Sequence, residues 1–225
     1  MYKLLFIDEQ KETLEDFEEY VEKSQLKDKF KVVTIFPSED MEQMIHTIFK
    51  IGPDAIITDF RLNEMKEDIT YNVPFNGVEL VEELQSYRHN FPCFVLTAVD
   101  DEAVGSSEDV NIVYVKNILY KDENEKELKA KASFLDRVFI QIGHYRNRIE
   151  KAEEELAGLV AIRESGNADI EVEKTIIELD DFLERSVDKR NAIPKEFKTL
   201  SNTNRLDSLL YKVDELIKKV DENGK

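Results

Sequence analysis

Several short apolar runs in the first 120 residues end in side chains that can do chemistry. Tyr2–Ile7 runs into Asp8-Glu9, and Ala55–Thr58 runs into Asp59. Cys93–Thr97 closes on Thr97 with Ala98 behind it, and Ile112–Val115 runs into Lys116. If the runs are strands of an open α/β sheet, such ends gather at one edge. Three carboxylates, a hydroxyl and an ammonium then share that edge. Carboxylates crowded together repel unless a cation joins them. Hard oxygen ligands of this kind select Mg²⁺. A lysine facing them can pair with an anion such as phosphate.

The elements that must position these groups follow from periodicity. Tyr2–Ile7, Lys31–Phe36, Ala55–Thr58, Cys93–Thr97 and Ile112–Val115 are short, apolar and rich in Val, Ile and Phe. Such runs suit strands covered on both faces, as in a parallel sheet. Helical spacing separates them. Leu14, Phe17 and Val21 form one stripe, and Met41, Met44, Ile45, Ile48 and Phe49 a wider one after a cap at Ser38. Gly77 opens a third helix, with Val78, Val81, Leu84 and Gln85 on one face. The acidic, glycine-interrupted stretch 99–109 reads as a weak helix. Strands alternating with helices predict a doubly wound α/β fold with a five-stranded parallel sheet.

The texture changes near residue 120, which sets the expected division into domains 1–120 and 121–225. Residues 1–120 carry 11 basic and 25 acidic side chains, a net of −14; residues 121–225 carry 20 and 24, a net of −4. Leu128, Leu135, Ile142, Ile149 and Leu156 are spaced by sevens, with Val138, Tyr145, Ala152 and Leu159 as a companion line. That a/d pattern predicts a helix over 125–164, on the order of 60 Å long. Gly143 and Gly158 each weaken it by roughly 1 kcal/mol against Ala, which allows a bend. Ser165-Gly166-Asn167 reads as its stop. Val172, Ile176, Leu179, Leu183 and Val187 predict a second helix, and Leu206–Val220 a third. An all-α coiled coil or bundle is expected. Because the long helix outruns the second and leaves seam uncovered near Leu135 and Ile142, a homodimer is expected too.

Composition excludes several roles. Thirty-one Lys and Arg against 49 Asp and Glu give a net charge of −18 over 225 residues. Nonspecific affinity for nucleic acid comes from cation-driven counterion release, so this chain is a poor candidate for it. The same sign disfavours an anionic membrane surface, and no apolar run reaches the length of a spanning helix. The acid at Asp8-Glu9 comes too soon for a signal peptide. Cys93 is the single cysteine, which precludes an internal disulfide. A soluble cytoplasmic protein is the expectation. Cys93, Phe139 and Tyr145 read as core packing, His144 as a solvated flank of the long helix, and His46 and His89 as isolated residues.

The ordered set Asp8-Glu9, Asp59, Thr97-Ala98, Lys116 over residues 1 to about 120 resembles the receiver domain of bacterial response regulators. Pro74-Phe75-Asn76-Gly77-Val78-Glu79-Leu80 resembles the family's proline-glycine turn into its third helix. The resemblance implies a flavodoxin-like receiver followed by a helical extension that does not bind DNA. It implies Mg²⁺ held by Asp8, Glu9, Asp59 and the backbone carbonyl of Arg61. It makes Asp59 the acceptor of phosphate from a histidine kinase, Thr97 the switch hydroxyl and Lys116 the phosphate-pairing cation. Ala98 leaves room for the phosphoryl group. The implied role is a phosphoprotein in a two-component phosphorelay, not a turnover enzyme, signalling to a downstream protein effector. Residues 121–225 show no short helix pair with a basic recognition helix.

The pattern also departs from the family's. Asn63–Val73 is about ten residues more than usual and borders the proposed site, where it can gate access. Asn117 stands where proline is usual after the lysine. The position of the switch-reporting aromatic is Val113, while Tyr114, one place on, should point the other way. These departures carry the alternative reading, a pseudo-receiver that stores no phosphate and serves as an adaptor. A haloacid-dehalogenase-type phosphohydrolase would need an acid two positions after Asp59, where Arg61 stands.

Overall fold

The computed structural model describes residues 1–62, 64, 67–98, 112–116 and 133–188. In chain order the elements are β1 (Tyr2–Ile7), α1 (Lys11–Lys23), β2 (Phe30–Ile35), α2 (Met41–Ile51), β3 (Ala55–Asp59) and α3 (Gly77–Tyr87). They continue as β4 (Cys93–Thr97), β5 (Val113–Val115), α4 (Phe134–Glu164) and α5 (Ile170–Val187). The chain divides into two compact units, Met1–Asn147 and Arg148–Lys225. The boundary expected near 120, the weak helix expected over 99–109, Leu128 and the helix expected over 206–220 all lie outside the described residues.

The five strands form one parallel sheet in the order β2-β1-β3-β4-β5. The sequence reversal at β1/β3 is the topological switch point of a doubly wound sheet, and ligands bind outside the strands' carboxyl ends at such points. Leu4, Phe6, Ala55, Ile57, Phe94 and Leu96 share one face and pack with Leu14, Phe17 and Val21 of α1 and with Phe134, Leu135, Val138 and Ile142 of α4. Their alternates Leu5, Ile7, Ile56 and Val95 are buried on the other face, as are Met44 and Ile48 of α2 and Val81 and Leu84 of α3. β2 begins one residue earlier than its apolar run suggests, at Phe30.

The cap expected at Ser38 is supplied instead by Asp40, whose side chain accepts from the Gln43 amide at 2.8 Å. Asp40 stands directly before Met41, where a carboxylate reaches the orphan first-turn amides; Ser38 is two residues too early. α3 opens on a capping box. Asn76 accepts from Val78 and Glu79, and the Glu79 carboxylate accepts from the Asn76 amide at 2.8 Å.

The long helix corrects one inference from the heptads. Leu135 and Ile142 are not an uncovered seam: they are 1% and 0% exposed, in the core beneath the sheet of their own chain. Tyr145 meets Phe91 edge-on with centroids 5.6 Å apart, and Phe139 packs on Tyr2 and Phe30. The seam argument for a dimer therefore loses these two residues. Truncating Ile142→Ala should cost about 2–5 kcal/mol. Ile140→Ala, at a residue 48% exposed, should stay within about 0.5 kcal/mol. Urea titrations of both variants check this, and equal midpoints would contradict the packing.

Gly143 and Gly158 are both absorbed in one continuous α4. His144 is exposed, and Cys93 is buried with its thiol pKa pushed up by desolvation. In the second unit α4 ends at Glu164. Gly166 takes a left-handed φ of 78°, and the Asn167 amide reaches back to the Ile162 carbonyl at 3.3 Å. Asp169 then caps α5 through the Val172 amide.

Candidate functional site

The site is built from strand ends. β1 delivers Asp8 and Glu9, β3 delivers Asp59, β4 delivers Thr97 and β5 delivers Lys116. Parallel pairing brings all of them to one edge. Asp8, Glu9, Asp59 and Thr97 are buried polar residues, at 0%, 1%, 5% and 3% exposure. Carboxylate oxygens of Asp8, Glu9 and Asp59 lie within 4.8 Å of one another. Lys116 Nζ bridges two of them, 3.0 Å from Asp8 Oδ2 and 2.8 Å from Asp59 Oδ1.

Backbone amides hold the remaining oxygens of the two aspartates. The Gln10 amide donates to Asp8 Oδ1 at 2.9 Å, and the Arg61 amide to Asp59 Oδ2 at 3.1 Å. Glu9 Oε1 accepts from the Gln10 side chain at 3.2 Å, whereas Glu9 Oε2 is buried with no hydrogen-bond partner among the described residues. A buried, unpartnered carboxylate oxygen beside two other carboxylates is a donor suited to a cation.

The electrostatics follow from burial and crowding. Desolvation raises the Glu9 carboxyl to about 7, with the charges of Asp8 and Asp59 adding to it. Asp59 is raised to about 6, chiefly by desolvation, against the pull of Lys116. Asp8 is raised for the same first reason, and Lys116 is raised by its two carboxylates despite burial.

The turn that follows Asp59 is locked from beneath. Thr58 Oγ1 donates to the Asp59 carbonyl at 3.0 Å, the Phe60 amide to the Leu96 carbonyl and the Gly77 amide to the Phe60 carbonyl, both at 2.8 Å. A Cβ on Gly77 would stand 2.1 Å from the Asp59 carbonyl oxygen, so only glycine fits against the end of β3. The Arg61 side chain turns to Glu64 at 2.6 Å. Ala98, directly after Thr97, is exposed. Tyr114 lies with Phe94 and Phe134 on the α1/α4 face, opposite to the side a residue at Val113 would take. Asn117 lies outside the described residues.

Some residues that shape the site carry no signal in the sequence. Gln10 orients Asp8 with its amide, and no spacing rule announces that. Asp68 and Tyr71 of the inserted loop reach other loops of the site's edge. Asp68 Oδ2 accepts from the Lys11 amide at 2.9 Å, and Tyr71 Oη donates to the Pro37 carbonyl at 2.6 Å. The Asn76–Glu79 capping box does have a signal, a cap residue followed three places later by Glu.

No family model matches the chain, and no curated protein matches it in sequence. Solved structures do match in shape. The anti-anti-sigma factor PhyR from Bartonella quintana shares 14% identity at a TM-score of 0.43, covering 68% of this chain and 51% of that one. This chain thus spans about half the length of the PhyR structure. The isolated receiver domain of RcsB from Salmonella enterica serovar Typhimurium shares 21% at a TM-score of 0.37, covering 53% and 83%. RcsB from the same organism bound to promoter rprA shares 16% at a TM-score of 0.40, covering 92% and 100%. The RcsB structures are those of a receiver domain and of a two-component response regulator. The DNA in the RcsB complex belongs to RcsB, and the exclusion of nucleic acid drawn from charge finds no support among these neighbours. No described helix is long and apolar enough to cross a membrane.

Proposed function

We propose that this chain is a two-component response regulator. In this reading Asp59 takes a phosphoryl group from a histidine kinase, and the helical half signals to a protein effector. The observation that carries the reading is the bridge from Lys116 to Asp8 and Asp59 beside Glu9, whose buried Oε2 has no partner among the described residues. The donor set fits Mg²⁺: Asp8, Glu9 and Asp59 would hold it, with the Arg61 backbone carbonyl and retained waters. Bound there, the cation supplies charge neutralisation for the carboxylates and for a phosphoryl group.

The chain's own residues do the rest. With its carboxyl held near 6, Asp59 is largely ionised at pH 7 and ready to attack phosphorus. Its oxygen forms the new O–P bond as the donor's N–P bond breaks, the electron pair staying on the imidazole nitrogen. Lys116 shifts from bridging carboxylates to pairing with a phosphoryl oxygen, the Thr97 hydroxyl donates to another, and Ala98 leaves them space. The exposed Ile162, Ile170 and Val187 of the second unit offer apolar surface for an effector.

The second reading, a pseudo-receiver adaptor, is favoured by the insertion at Asn63–Val73 itself and by Asn117 in the place where the family usually has proline. Fluorine NMR with beryllofluoride and Mg²⁺ separates the two. A bound resonance is expected in wild type and should vanish in Asp59→Asn. A wild-type protein showing free fluoride species alone would leave the adaptor.

A further inference from the structure

We infer that the inserted loop braces the acidic pair, with Asp68 as its positioning residue. The inference rests on the metal reading of Asp8, Glu9 and Asp59. α1 starts immediately after that pair, at Lys11. Its N-cap, Gln10, makes no side-chain capping bond. Like the other first-turn amides, that of Lys11 has no partner within the helix and needs an acceptor from elsewhere. Asp68, 57 residues along the chain, fills that role through the 2.9 Å bond to the Lys11 amide. Its negative charge also suits the positive end of the helix.

Two successive amides next to Glu9 are thus bonded to carboxylates. Gln10 donates to Asp8 within the pocket, and Lys11 donates to Asp68 from the insertion. Fixing both amides fixes the backbone that carries Glu9. The brace is itself anchored. Ile69 and Val73 are buried at 2% and 0% exposure, and Tyr71 is tied to the Pro37 carbonyl on the loop after β2. The loop expected to gate the site is, over Asp68–Val73, tied at Asp68 to the start of α1 and at Tyr71 to the loop after β2, with Ile69 and Val73 buried. Asp68 acts through the Lys11 amide and not as a ligand, as residues behind a metal's direct ligands commonly do.

The test is isothermal titration of the full chain with Mg²⁺ alone, paired with amide hydrogen exchange in metal-free buffer. Asp68→Ala should weaken Mg²⁺ binding by about 10-fold, the low end of what supporting residues contribute. It should also speed exchange over residues 8–12. Asp68→Asn keeps an acceptor oxygen in place and should restore most of the affinity. Wild-type affinity in Asp68→Ala, with binding intact in the parent, would overturn the brace and leave the metal reading standing. A parent that binds no Mg²⁺ would overturn both. Loss of affinity in Asp68→Ala without rescue by Asp68→Asn would overturn the capping role.

Discussion

Gly77→Ala should disrupt the end of β3, where Asp59 stands. The new Cβ would meet the Asp59 carbonyl oxygen at 2.1 Å, the Asp59 carbonyl carbon at 2.9 Å and Thr58 Cγ2 at 3.0 Å. Two of these are backbone atoms of a fully buried central strand, and they cannot rotate away. Either α3 backs off the sheet or the end of β3 moves. The first breaks the Gly77–Phe60 bond and drags the Asn76–Glu79 capping box with it. The second displaces Asp59 itself. Overpacking of this severity should cost about 3 kcal/mol or more. Gly143→Ala is the matched control. Its Cβ meets nothing within 4 Å among the described residues, and it lies inside α4. That substitution should stabilise by roughly 1 kcal/mol. Thermal melts of the two variants should move in opposite directions. A Gly77→Ala protein melting like wild type would show that the close approach is absent.

Removing one buried acid should stabilise the metal-free protein. The Glu9 carboxyl sits near 7 in the fold against 4.5 for a free side chain, and Asp59 near 6 against 3.8. Between about pH 4 and 7 the folded state therefore holds more protons than the unfolded chain. Stability contributed at these positions then falls as pH rises through that window and levels off above it. A tenfold change in proton affinity is worth about 1.4 kcal/mol, so the Glu9 penalty at pH 8 is on the order of 3 kcal/mol. Glu9→Gln should recover a large part of it. The variant should melt higher than wild type at pH 8 without divalent cation, and by much less at pH 5. Millimolar Mg²⁺ should raise the wild-type melting temperature and leave Glu9→Gln nearly unmoved. Identical wild-type and Glu9→Gln melts at pH 8, indifferent to Mg²⁺, would contradict the charge crowding.

The sheet and the convergence of its strand ends are legible because short, mostly apolar runs of four to six residues, most of them leading into polar side chains, have few other solutions. Asp8, Glu9, Asp59, Thr97 and Lys116 therefore stand out by residue order alone. The meaning of the heptads is not legible. A helix laid on a sheet buries residues at i, i+3 and i+7 just as a coiled coil does over a few turns. Leu135, Val138 and Ile142 fit both patterns, and only the facing Phe94 and Leu96 decide between them. Asp68 is hidden for a different reason. Its bond to Lys11 spans 57 residues, and a carboxylate in a polar loop carries no periodic signal. The Ser38 cap fails through a choice between neighbours. Asp40 is the same kind of cap residue placed two positions closer to the first apolar turn.

In the proposed reading Asp59 accepts phosphate. The most direct measurement is intact mass after incubation with acetyl phosphate and Mg²⁺, for wild type and Asp59→Asn side by side. Wild type should gain one phosphoryl mass, lose it when Mg²⁺ is chelated beforehand, and lose it in Asp59→Asn. Equal gain in Asp59→Asn, or no gain in wild type at any Mg²⁺ concentration, would rule out Asp59 as the phosphoacceptor.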